Sequence, residues 1–152
     1  MEFLAQIHSK LVHFPIAFLM LYPVIELLYL ITKKDFFNKI AFLFLVIGVV
    51  GAFFAVLSGN QAFELVSKWP GDNKEIFNLH QTFANITVWS FTAILILRFT
   101  LHVKKKFTKM MMILFLLLAL IGSYIVYQTG FYGGKLSKGI VISSTYDSQN
   151  KK

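Results

Sequence analysis

Four apolar stretches, each about twenty residues long, are divided by connections of which two are short and basic. They lie near Leu11–Thr32, Ile40–Ser58, His80–Leu101 and Phe107–Thr129. Crossing ~30 Å of hydrocarbon takes about 20 helical residues. In hydrocarbon no water is available to the backbone, so each stretch must bond its own N–H and C=O groups as a helix. The expected fold is all-α, a four-helix transmembrane bundle. Composition points the same way. The chain is 57% hydrophobic and only 14% charged, where a soluble domain carries ~25% charged residues. That leaves too little polar surface to coat a water-soluble globule.

Residues 11–129 are expected to form the membrane domain. The start MEFLAQIHSK lacks the basic region and small-residue cleavage site of a signal peptide, so the first span is expected to be retained. Residues 1–10 read as an interfacial amphipathic helix with Phe3, Leu4 and Ile7 toward lipid. Residues 130–152 read as a polar, turn-rich periplasmic tail, with the apolar run Ile140-Val141-Ile142 folding back as a strand.

The net charge of +8 falls largely between spans. Lys33, Lys34 and Lys39 form one cluster, and Arg98, Lys104, Lys105, Lys106 and Lys109 form another. Both read as topology signals that meet lipid headgroups, so the partner they imply is the bilayer and no nucleic acid is expected. The connection between spans two and three mixes Glu64, Lys68, Asp72, Lys74 and Glu75. The positive-inside rule then puts the two basic turns in the cytoplasm and both termini on the periplasmic side of a multi-pass inner-membrane protein. In the outer connection, Trp69-Pro70-Gly71 reads as a turn. Asp72 and Glu75 read as a capping box that starts the third helix near Asn73.

Imidazole in or near hydrocarbon is costly and needs a partner. His13 heads the first span and His80 the third. One histidine from each of two facing helices can ligate a haem iron from both sides. The metal-ligand reading is therefore His13 and His80 on a b-type haem. The chain has no Cys, so the C-x-x-C-H attachment is absent and the haem would be noncovalent. Taken singly, each histidine reads first as a neutral interfacial ring bonded to a carbonyl or water; the pair at one depth raises the ligand reading to equal standing. His8 lies five residues before His13, about 140° around a continuous helix. It is read as a propionate contact, an alternative ligand or a water-facing group. His102 reads as a snorkelling interfacial residue.

Gly48, Ala52, Ala55 and Gly59 form a small-residue stripe on the second helix. It suits close helix packing, and equally leaves room for a flat macrocycle. Pro15 and Pro23 free carbonyls within span one. Glu26 is the only acid deep in a span. It reads as protonated and bonded to a neighbour, as a proton relay to a quinone, or as a snorkelling carboxylate. Thr82, Asn85, Thr87, Tyr124, Tyr127 and Gln128 fit an ordinary aromatic and polar belt, or would hold haem propionates or a quinone headgroup. Gln61 and Glu64 would complete a mononuclear metal site only without any tight ligand spacing.

The segment His8-Ser9-Lys10-Leu11-Val12-His13-Phe14-Pro15-Ile16-Ala17 resembles the HPxxVHFPIA opening of a bacterial membrane family, the domain of unknown function twenty-two thirty-one. Leu57-Ser58-Gly59, the His80 start of helix three and Gly130-Phe131-Tyr132-Gly133-Gly134-Lys135-Leu136 are similar to its later landmarks. The chain departs from the pattern at Ser9, where Pro is usual, and at Ser137-Lys138, where Val-Tyr is usual. The resemblance implies a four-helix membrane protein in a redox setting, since similar domains occur fused to Rieske iron–sulfur or cytochrome c domains. It implies a b-type haem or quinol role and carries over His8, His13 and His80. The expected function is that of a haem b electron-transfer subunit of a respiratory complex, rather than a stand-alone enzyme. It would work between quinol and a periplasmic partner such as a cytochrome c or iron–sulfur protein, with a quinone as a second ligand. The alternatives are a cofactor-free accessory or anchor subunit and a small metal or solute transporter.

Overall fold

The structure is a computed structural model. It describes the backbone of residues 2–65, 71–104 and 108–149, and the side chains of residues 7–60, 74–104 and 108–138. The chain forms α1 (Glu2–Leu11), α2 (His13–Thr32), α3 (Asp35–Leu65), α4 (Gly71–Val103) and α5 (Lys109–Gln149). Four segments are long and apolar enough to cross a membrane: Ile7–Thr32, Asp35–Asn60, Lys74–Val103 and Lys109–Lys138. The all-α four-span expectation is met.

α1 and α2 act as one rod. Val12 keeps right-handed helical angles (φ −64°, ψ −24°). Its N–H donates to His8 O (3.1 Å), and Ile16 N–H donates to Val12 O (3.3 Å). The hitch falls where Pro15 lacks the N–H that would bond the Leu11 carbonyl. The rod ends at Lys33, whose left-handed φ of 55° turns the chain while its N–H caps Tyr29 O at 2.8 Å. Asp35 then opens α3 and pairs with Lys39 at 2.8 Å on the surface.

α2 packs on α3 and on α5, α4 packs on α3 and on α5, and α1 lies mainly against α3. The four long helices therefore form a ring, with α2 and α4 on its diagonal. Lipid is as apolar as leucine, so close packing of small residues carries helix association here. Gly48 supplies this for α2 on α3. A Cβ there would fall 2.4 Å from Leu19 Cδ2. Gly122 does the same for α5 on α4, with Phe91 Cζ 2.6 Å from the place of a Cβ. The core contains Leu19, Tyr22, Leu45, Phe91, Phe115 and Val126. Large apolar residues such as Phe14, Ile31, Leu57, Trp89 and Ile121 point outward, as a lipid-facing surface requires.

Two expectations change. The glycine-rich stretch after Thr129 is not turn-rich, and Ile140–Ile142 is not a strand: α5 runs unbroken through both. Much of that stretch lies within the last span, where a helix that bonds its own backbone outcompetes a turn, so glycine does not break it. Arg98, expected at the headgroups with the lysines, is 1% exposed, and Glu26 is 0% exposed. They form an ion pair across the diagonal, so Glu26 does not snorkel. Arg98 Nη1 also donates to Tyr22 Oη (3.2 Å), and Nη2 donates to Asn38 Oδ1 (2.9 Å). The guanidinium lies over the Phe115 ring, 5.3 Å from its centroid. From α4, one side chain thus engages α2, α3 and α5. Its depth explains the change. Arg98 sits five residues before the end of α4, roughly 8 Å inside at 1.5 Å per residue. Glu26 Oε2 and Ser123 Oγ are buried without a hydrogen-bond partner among the described residues.

The capping residue Asp72, together with Gln61, Glu64, Phe3 and Leu4, falls outside the described side chains, and the Trp69–Pro70 turn falls outside the described residues. Helix α4 begins at Gly71, close to the expected Asn73.

Removing one member of a buried pair leaves an uncompensated charge, at a cost of about 3–5 kcal/mol. Arg98→Met should therefore lower the thermal unfolding midpoint in detergent sharply. The Glu26→Met/Arg98→Met double variant should recover most of the loss. Equal midpoints for parent and single variant would show that the pair contributes nothing.

Candidate functional site

At the end of the bundle away from Arg98, the four spans part around a cavity of about 780 Å³. That lies within the ~300–1,000 Å³ typical of small-molecule sites. His8, His13 and His80 all line it. Its walls are apolar, with Ile16, Leu19, Val56, Val88 and Val126 among them. Asn60, Gln81, Asn85 and Thr87 add neutral polar groups. No Lys, Arg, Asp or Glu lines it among the described residues.

Two of the histidines are held in defined orientations. His80 Nδ1 donates to Thr129 O at 3.0 Å. A carbonyl can only accept, so the proton is on Nδ1 and Nε2 keeps its lone pair. His8 Nδ1 lies 2.8 Å from Ser58 Oγ. The Ser58 hydroxyl donates its single proton to Ala55 O (2.9 Å), so the ring must be the donor and His8 Nε2 is also a bare acceptor. Each ring sits in a glycine notch. A Cβ at Gly59 would fall 3.0 Å from His8 Cε1, and one at Gly133 would fall 3.1 Å from His80 Cε1. Behind His80, Thr87 Oγ1 donates to Thr129 Oγ1 (3.1 Å), whose own proton goes to Ile125 O (3.0 Å). These partners fix ring orientation and tautomer, as second-shell groups do for metal-bound imidazole.

His13 is set differently. Its ring is exposed, and no hydrogen bond holds it among the described residues. The geometry therefore pairs His80 with His8. A signal for this exists in the sequence. His8, Pro15, Leu19, Tyr22, Glu26 and Tyr29 follow a 7-4-3-4-3 spacing, and His80, Thr87, Phe91, Ile94 and Arg98 follow 7-4-3-4. Such spacing marks one helix face, and the residues between the histidines and the far ends are buried. Glu26 follows His8 by eighteen residues, and Arg98 follows His80 by eighteen, which is five full turns. Glu26 meets Arg98 across the diagonal, so the two histidines oppose one another at the other end. His13 falls off this stripe.

The remaining candidates divide. Ala52, Ala55, Gly59 and Asn85 line the cavity, whereas Gly48, Glu26, Tyr124 and Tyr127 do not. Gly48 serves helix packing, and Glu26 belongs to the Arg98 cluster. Tyr124 and Tyr127 are exposed on the lipid-facing side of α5, and Tyr124 Oη accepts from Gln128 Nε2 at 3.1 Å. Thr82 donates to Asn78 O on the surface of α4. His102 is exposed at the Arg98 end, stacked 6.4 Å from Phe42. Ser58, Thr87 and Thr129 are the site residues that sequence reasoning did not connect to the histidines.

Ser58→Ala deprives the His8 ring of its acceptor and should cost about 1 kcal/mol. Thermal unfolding in detergent measures that cost. Nitrogen NMR of the imidazole should show His8 losing its fixed Nδ1–H tautomer while His80 keeps its own.

No curated protein and no solved structure matches the chain. A family model does match residues 5–145, that of DUF2231, described as a predicted membrane protein. The bundle of four membrane-length helices and the extent of that match carry one conclusion: the chain belongs to the DUF2231 family of membrane proteins.

Proposed function

We propose that the protein is an electron-transfer subunit whose histidine-lined cavity would hold one b-type haem, with His80 and His8 as the residues that would bind its iron. One observation carries this reading: two opposed imidazoles line a single cavity, each with Nδ1–H tied back and Nε2 bare. Bis-imidazole ligation uses that arrangement. The residues suit a planar macrocycle, since Ala52 and Ala55 leave a flat surface on α3. Asn60, Gln81 and Asn85 supply neutral hydrogen bonds for its polar edge. When bound, the haem supplies one-electron redox chemistry. The protein fixes the two rings, excludes bulk water with apolar walls and sets the cavity near one membrane face. By the positive-inside argument this face is the periplasmic side of the inner membrane. One site near one face suits exchange with a partner on that side, a cytochrome c or iron–sulfur protein, with membrane quinol as the source of electrons.

The test is the visible spectrum of the purified full chain, oxidised and dithionite-reduced, with iron content alongside. A Soret band that is lost in His80→Ala and His8→Ala and retained in His13→Ala is the expected result. A band that survives in both of the first two variants overturns the ligand assignment. Absence of band and iron from haem-replete preparations overturns the haem reading and leaves an accessory subunit.

A further inference from the structure

His13 is left without a role by the ligand pair. Its setting is unusual, because the ring is exposed yet lines the cavity. Ser9, Gly130, Gly134 and Ser137 share both properties, and so do Asn60 on α3 and Asn85 on α4. A residue that faces the cavity and the exterior together marks an opening in the wall.

The opening bordered by His13, Gly130 and Gly134 lies between α2 and α5, apart from the Asn60 and Asn85 side. On α5, Thr129 and Gly133 face α4 through His80, and Tyr132 stacks on Phe83 of α4 at 5.5 Å. Gly130 and Gly134 each come one residue later, about 100° around the helix. That puts them on the flank away from Tyr132, toward α5's other neighbour, α2. On α2, Phe18 marks the α3 flank by packing on Phe44 at 5.0 Å. His13 falls on the opposite side of the buried stripe, toward α5. A Cβ at Gly130 or Gly134 would meet nothing within 4 Å, so these glycines border open space and no neighbouring helix presses on them. His13, Gly130 and Gly134 all fall within segments long and apolar enough to cross a membrane, so the gap opens on the side of the bundle.

The lining selects the ligand. No Lys, Arg, Asp or Glu lines the cavity among the described residues, so the wall beside the gap is neutral. Two adjacent glycine surfaces present a flat wall, and the exposed imidazole offers a hydrogen-bond acceptor. A flat, neutral, hydroxyl-bearing ring dissolved in the membrane matches that set. We propose that the α2–α5 gap is a lateral docking site for a quinol-class ligand, a planar aromatic diol on an apolar tail, with one hydroxyl donating to His13. This deepens the cavity reading above. It rests on the cavity being a ligand site and does not depend on which residues bind iron.

The full chain in phosphatidylcholine nanodiscs is labelled with a photoreactive azidoquinone, with and without excess decyl-tailed ubiquinol, and mapped by mass spectrometry. Labelling of residues 9–16 and 127–137 that the quinol competes away is the expected result. Gly134→Leu should abolish it, since leucine would fill the gap while pointing into open space. His13→Ala should weaken competition about five- to tenfold, the loss expected for one hydrogen bond. Both variants should retain parental helicity and monodispersity. Labelling spread evenly over the lipid-facing surface, centred on the Asn60 and Asn85 side, or undiminished in both variants overturns the proposal. The haem band read on the same samples separates the two ideas. A band without competed labelling removes the docking site and leaves the haem reading. Competed labelling without a band does the reverse.

Discussion

The Arg98 guanidinium is the fixed point of the bundle. It is fully buried, paired with Glu26 across the diagonal and bonded to Tyr22 and Asn38. A charge at that depth must be satisfied inside the protein, because lipid offers nothing. Only one arrangement of α2, α3 and α4 brings the carboxylate, phenol and amide to it together. The register of the two diagonal helices follows. With that register set, the equal eighteen-residue separations bring His8 opposite His80.

The two ends of the bundle then differ for reasons of side-chain length. Arginine and glutamate are long, and they meet across the diagonal and close one end. Imidazoles are short, and the helices beside them carry Gly59 and Gly133. Neither ring spans the gap, so the other end stays open as a cavity. Backbone bonding within each helix lets the walls part, since parting them exposes no unsatisfied N–H or C=O. The glycines of α5 have separate uses. Gly122 admits the Phe91 ring, Gly133 admits His80, and Gly130 and Gly134 leave the wall thin on the α2 side.

Proton placement gives the site its chemical character. Ser58 has one proton and donates it to Ala55, so it can only accept from His8. The Thr129 carbonyl can only accept from His80. Both rings are thereby committed to the tautomer with a bare Nε2 before any ligand arrives. A ligand that accepts lone pairs, or donates hydrogen bonds, meets groups that are already oriented, which lowers the cost of binding.

By itself the sequence determined the solvent and the number of crossings. Four apolar segments with few charges admit no other class, because backbone groups in lipid must bond within their own helix. It also held the 7-4-3-4 stripes that single out His8 over His13 and Arg98 over the lysines. The ligand expectation of His13 came from its place at the head of the first span, and Arg98 was grouped with the lysines that follow it. Only the tertiary structure decided which flank of each helix meets a neighbour. That choice turned an apparent topology charge into an ion pair and made the Ser58 hydroxyl and the Thr129 carbonyl anchors for two rings. The physical reason is that periodicity fixes a residue's angle on its own helix, whereas a partner is fixed only when a second helix is set at a definite height and rotation beside it.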